Sequence, residues 1–159
     1  MKRLFILSVM ILFVVKADAQ AYKATFSSNF KMGNQKYANK ILELWKDWDN
    51  NVFTKSDYFA DTITAYFPDG TMVKGKEAFI ESGKKYRGGF TTVKSIVHAW
   101  APLYSEDKKT DAVCIWGEEA DTTPDGKTTT TSLHEVWFFN KDGKISTFRQ
   151  WMAKPATQN

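Results

Sequence analysis

One cysteine, two histidines and four prolines are all that 159 residues contain of these types. A lone cysteine excludes an internal disulfide, so a packed core has to supply the stability. Cys114 stands inside the apolar run Ala112-Val113-Cys114-Ile115-Trp116 and reads as a buried, inert thiol, since nothing near it makes a thiolate. Two histidines and scattered carboxylates lack the close ligand spacing of zinc motifs, so no metal and no cofactor is expected. Phosphate loops, dinucleotide fingerprints and Gly-x-Ser-x-Gly elbows are missing too. So is a clustered basic stripe. Lys84-Lys85 with Arg87, and Lys108-Lys109, read as solvated ends of a helix and a hairpin, and no nucleic-acid partner is expected.

The one long apolar run, Leu4 to Val15, has twelve residues, too few to span a bilayer comfortably. It follows Met1-Lys2-Arg3 and precedes Ala17-Asp18-Ala19, an A-x-A cleavage pattern. Residues 1–19 are therefore expected to be a signal peptide cut near Ala19. The product is an exported chain, periplasmic or secreted, with no membrane partner after cleavage. Net charge then falls from +4 to +2, because Lys2, Arg3, Lys16 and Asp18 leave. The remaining 140 residues suit one domain with one core.

Residues 20–34 are polar and weakly patterned and read as a flexible lead-in to a domain over 35–155. Tyr37, Ala38, Ile41, Leu42, Trp45 and Trp48 recur at helical spacing, which predicts a helix over 35–50 with one buried face. A short helix is expected over 56–60 after an N-cap at Thr54. A strand follows over 62–67, then a turn at Pro68-Asp69-Gly70-Thr71 and a third helix over 76–87. Four β-rich runs come last, 90–104, 112–121, 128–140 and 144–153, joined by hairpin turns into an antiparallel meander. Helices first and a long bent sheet afterwards make an α+β layout.

This order, with Ile41-Leu42-Glu43-Leu44-Trp45-Lys46-Asp47-Trp48, Phe59-Ala60-Asp61 through Phe67-Pro68-Asp69-Gly70, Gly75-Lys76-Glu77-Ala78-Phe79 and the closing Glu135 to Ile145 segment, resembles the NTF2-like superfamily and its SnoaL-like members. The resemblance implies a curved sheet closed by N-terminal helices into a cone, with a pocket in the concave face.

Hairpin geometry then says which side chains meet. A turn centred on Asp125-Gly126 sets Trp116 opposite Glu135. A three-residue turn at Lys141-Asp142-Gly143 sets Glu135 opposite Arg149, and a turn at Glu106 to Lys109 sets His98 opposite Gly117. Alternation gives two faces. One holds Cys114, Trp116, Glu118, Glu135, Trp137, Arg149 and Trp151. The other holds His98, Trp100, Ile115, Gly117, His134, Val136, Phe138, Phe148, Gln150 and Met152. Burying fixed charge is costly, so the second, neutral set is expected to face the helices. The pocket would then be lined by Trp48, Tyr58, Tyr66, His98, Trp100, His134 and Gln150, with Gly117 opening space between the imidazoles. The first set would be convex. Its tryptophans argue for a homodimer through Trp116, Glu135, Trp137, Arg149 and Trp151, a mode such folds often use.

The expected function is binding of a small apolar organic ligand in a conical pocket. The resemblance also implies an alternative: an isomerase, cyclase or dehydratase with His98 or His134 as general base. A non-catalytic interaction subunit is the third reading.

Overall fold

The computed structural model describes residues 22–155. The expected signal peptide, residues 1–19, lies outside them.

Helix α1 runs Gln35–Asp49. Asn34 caps it, its side chain accepting from the Lys36 amide, and Asn50 closes it by donating from Nδ2 to the Lys46 carbonyl at 2.7 Å. The buried stripe is Tyr37, Ala38, Ile41 and Trp45, spaced as the sequence predicts. A 3₁₀ turn over Ser56–Tyr58 replaces the longer second helix expected there; Lys55, with no side-chain bond to the backbone, occupies the cap position. Helix α2, Lys76–Arg87, has the expected bounds. Its Arg87 is buried because its guanidinium donates to the carbonyls of Trp48, Asp49 and Phe90, tying α2 to the end of α1.

The strands are β1 (Phe30–Met32), β2 (Phe59–Tyr66), β3 (Met72–Lys74), β4 (Thr92–Ser105), β5 (Thr110–Thr122), β6 (Thr128–Phe139) and β7 (Ile145–Ala153). They form one sheet in the order β1-β4-β5-β6-β7-β2-β3, with β2 and β7 parallel and every other pair antiparallel. Two three-residue strands were not expected. β1 falls within the supposed lead-in and pairs with β4; β3 follows the Pro68 turn and pairs with β2. Both are too short for any alternation to show in sequence. The curved sheet and the two helices make an α+β cone. Ile41 and Ala38 of α1 pack on Ile63 and Ala65 of β2, Val113 and Ile115 of β5, Phe139 and Ile145.

The register departs from expectation by one residue in both closing hairpins, with opposite sign. The loop between β5 and β6 has five residues, Thr122 pairing with Thr128, so Trp116 meets His134 and Ile115 meets Glu135. The turn before β7 sets Phe139 opposite Ile145 as expected, but a bulge follows, and Glu135 meets Gln150 rather than Arg149. Across β6 the two offsets add to a shift of two residues between β5 and β7, which leaves their facing unchanged. Strands β5 and β7 therefore present the expected residues to each face, while β6 alone is turned over. Glu135 and Trp137 lie inside the cone, with His134, Val136 and Phe138 outside. A bulge between Val97 and Ala99 sets Val97, not His98, opposite Gly117.

Candidate functional site

Between the helices and the concave sheet lies a cavity of about 500 Å³. Helix α1 contributes Leu44, Trp45, Asp47 and Trp48, and α2 contributes Phe79, Ile80, Gly83 and Tyr86. The floor is Glu119, Leu133, Glu135, Trp137, Phe148, Gln150 and Met152, all on β5, β6 and β7. The segment from Phe67 through Val73 and the loop Val52 to Ser56 form the rim. The wall is almost continuous aromatic and aliphatic carbon, in the size range of small-molecule sites.

Glu135, 5% exposed, is set into that wall. The indole Nε1 groups of Trp45 and Trp137 donate to its Oε2 at 2.8 and 3.0 Å, and Gln150 Nε2 donates to Oε1 at 2.9 Å. Burial pushes its carboxyl above the ordinary range, and the three donors pull against that shift. No cation pairs with it among the described residues. Three N–H groups thus replace the water that the carboxylate gave up, which is how a charged side chain sits where alternation alone places an apolar one.

Glu119 lies on the same face, 7% exposed. Its carboxyl is pushed up to about 8, first by burial and then by the charges of Asp121 and Glu135. Asp121, 6% exposed, is raised by burial as well. Around this pair the polar groups are incompletely satisfied. Trp48 Nε1 and Asp121 Oδ1 are buried with no hydrogen-bond partner among the described residues, and Asp47 Oδ2 is in the same state. One end of an apolar chamber therefore carries carboxyl groups that burial biases toward their protonated forms.

No protein-family model matches the sequence, and no curated protein does either. Solved structures do match. An NTF2-like protein from Exiguobacterium sp. 255-15 is 19% identical, with a TM-score of 0.58 over 75% of this chain and 99% of its own. A protein assigned to the SnoaL-like polyketide cyclases, from Jannaschia sp. CCS1, is 14% identical, with a TM-score of 0.56 over 83% of this chain and 90% of its own. SalBIII, an epoxide hydrolase/cyclase-like enzyme of pyran ring formation in the polyether salinomycin, is 16% identical, with a TM-score of 0.58 over 75% and 92%. The fold is NTF2-like.

Within this NTF2-like cone, two of the seven residues expected to line the pocket do so, Trp48 and Gln150. The other five lie elsewhere. His134 is on the outer face, stacked between Trp116 and Trp151, because β6 is turned over. His98 lies at the β4 bulge, its imidazole half exposed and 3.7 Å from the Glu118 carboxylate. Trp100 pairs with Ile115 where β4 is a free edge, and is 45% exposed. Tyr66 lies under the Arg149 guanidinium, 4.2 Å from ring centroid to Cζ. Tyr58 donates to Glu43 Oε2 at 2.6 Å, away from the cavity. Neither imidazole is among the side chains that line the chamber. Gly117 has a different task from the one expected. A Cβ on it would stand 2.3 Å from the Ile96 carbonyl oxygen and 2.8 Å from the Trp45 ring, so glycine leaves room for the indole to approach the sheet.

Sequence reasoning missed Glu119 and Glu135 as chamber groups. For Glu119 a signal existed. Val113 and Ile115 mark the inner face of β5, and Glu119 continues their parity.

Proposed function

We propose that this chain binds a small, largely apolar organic molecule in the NTF2-like cone. The observation that carries the reading is the chamber itself, about 500 Å³ of carbon-walled space with carboxyl groups at one end. A neutral fluorescent probe, N-phenyl-1-naphthylamine, tests it. The expected result is saturable binding at micromolar concentration. Gly83→Leu, which projects from α2 into the chamber, should weaken it at least tenfold, and Trp116→Ala on the outer face should leave it unchanged. Absence of saturable binding, or equal loss in both variants, overturns the reading.

A second reading is favoured by one observation: Glu119 holds its proton to about 8 inside an apolar site. Such a group can give a proton to a bound carbonyl or ether oxygen, or take one from carbon, near neutral pH. The Jannaschia protein, assigned to the polyketide cyclases, and SalBIII, an epoxide hydrolase/cyclase-like enzyme, share this fold. Turnover with a pH profile that moves in Glu119→Gln would favour the enzyme over the binding module.

The proposal extends to the chain's setting. The outer face exposes Ile96 by 59%, Trp116 by 38% and Trp151 by 49%, and a second copy of the chain is the proposed cover. Trp116, Trp151 and Arg149 remain in that interface; Glu135 and Trp137, on the inner face, do not. Export after cleavage near Ala19 is proposed from the sequence pattern alone, and the N-terminal mass of protein recovered outside the cytoplasm tests it.

A further inference from the structure

The donors and acceptors of the chamber are unevenly spent. Trp45, Trp137 and Gln150 all direct their N–H groups at Glu135. The unpartnered Trp48 N–H lies beside Glu119 and suits that carboxylate once it is ionised. Once Glu119 is ionised, what the site leaves for a ligand is mainly acceptor capacity. Glu119 lines the chamber, more than nine-tenths buried, and makes no hydrogen bond of normal geometry among the described residues. Its neighbour Asp121 keeps an oxygen unpartnered.

Charge is equally lopsided. Asp47, Asp69, Glu119 and Glu135 line the cavity, and among the described residues Lys55 is the only basic side chain that does. Lys55 stands at the rim and is engaged by Glu43 at 3.3 Å. Arg87, the nearest buried cation to Asp121, spends its guanidinium on three backbone carbonyls. An anionic ligand would meet carboxylates with no cation to receive it. A cation would meet acceptors, and also the faces of Trp48, Tyr86 and Phe53, which are grouped within ring-contact distance at that end.

We infer that the chamber selects a lipophilic amine: an apolar body carrying one ammonium group, which is received by Glu119 and the aromatic cluster around Trp48. This rests on the reading of the cone as a binding site and adds the sign of the ligand's charge. Binding is a proton exchange as well. In the empty site burial and the charges of Asp121 and Glu135 hold a proton on Glu119, with Tyr86 and Arg87 of α2 and Asp49 of α1 as the other ionisable groups around the pair. An ammonium ion placed beside Glu119 favours its ionised form, so the proton leaves to solvent as the amine binds. Amine affinity should therefore rise from pH 6 to pH 8.

A matched series tests this: 4-phenylbutylamine, 4-phenylbutanol and 4-phenylbutyrate, competed against N-phenyl-1-naphthylamine and titrated directly by calorimetry. The amine is expected to bind at least tenfold more tightly than the alcohol at pH 7.5, and the carboxylate more weakly than either. Calorimetry in two buffers of different ionisation enthalpy should show proton release with the amine and none with the alcohol. Glu119→Gln should cost the amine at least tenfold and leave the alcohol within twofold. Should that variant fail to fold, the pH dependence in the wild type, present for the amine and absent for the alcohol, decides alone. Alcohol binding as tight as amine binding, or an amine affinity flat in pH, overturns the inference while the cone stands as a binding site. Binding of neither probe nor series overturns both. Amine binding without probe binding, lost in Glu119→Gln, supports the charged ligand and counts against a general apolar site.

Discussion

Glu135 and His134 are consecutive residues on opposite faces of one sheet. Glu135 points into the cone and is met by three N–H donors. His134 points out and is met by two indole faces, with ring centroids 5.0 Å from Trp116 and 5.3 Å from Trp151. Each polar group is surrounded by tryptophan, but the inner tryptophans offer their N–H edges and the outer ones their π-faces. Edges solvate a carboxylate, while faces pack against a ring. The same residue types thus build a chamber on one side and a flat stack on the other.

Gly117→Ala makes the largest break in that comparison. The added methyl collides with a backbone carbonyl and the Trp45 ring, neither of which is a flexible chain end. A loss of roughly 3 kcal/mol or more is expected in chemical denaturation. The adjacent outward residue is the control: Glu118→Ala removes only a half-exposed contact with His98 and should change stability by about 0.5 kcal/mol or less. Equal costs would show that the inner face is not the tighter one.

Next comes Glu119→Gln, whose effect depends on pH. The native carboxyl keeps its proton to about 8, whereas in the unfolded chain it ionises near 4.3. Between those values the native state binds more protons than the unfolded state, so this group's contribution falls as pH rises and levels off above 8. The variant should therefore gain on the wild type as the pH rises from 4 to 9, with most of the gain below pH 8. Denaturation midpoints at pH 4, 6, 8 and 9 measure it. Parallel curves would mean that Glu119 does not titrate as a buried group.

On the outer face the corresponding break is in association. Trp116→Glu with Trp151→Glu places like charges in the middle of the exposed aromatic patch. If a second copy covers this face, sedimentation should show the wild type as a dimer and the double variant as a monomer, with at least a tenfold weaker self-association and an unchanged affinity for the chamber probe. A monomeric wild type at 100 µM would leave the patch without its proposed partner.

The α+β cone, the bounds of α2 and the buried stripe of α1 were legible because each rests on a long periodic signal. The inner residues of β5 and β7 were legible for the same reason. Strand β6 was not, since its facing depends on turn length and on bulges, and neither the five-residue loop at Asp125 nor the bulge at Ser146 leaves a mark on the alternating pattern. Charge then compounded the error. Excluding Glu135 from the interior assumes that no donors await it, and the donors come from Trp45, ninety positions away, as well as from Trp137 and Gln150. Long-range solvation of this kind has no local signature.

The smallest expected effect is also the sharpest check on the outer stack. His134 Nε2 is buried with no hydrogen-bond partner among the described residues, so the imidazole contributes its ring and wastes a polar atom. Phenylalanine keeps a flat ring between Trp116 and Trp151 and removes the orphan. His134→Phe should therefore be neutral or stabilising, by less than about 1 kcal/mol, whereas His134→Ala, which empties the space between two indoles, should cost roughly 1–2 kcal/mol. Neither should alter probe binding, because the side chain lies across the sheet from the chamber. A loss of 2 kcal/mol or more in His134→Phe would reveal a polar role for the imidazole. A tenfold loss of probe binding in the same variant would show that the stack sets the position of Leu133 and Glu135 through the β6 backbone, and the two faces would then have to be treated as one coupled unit.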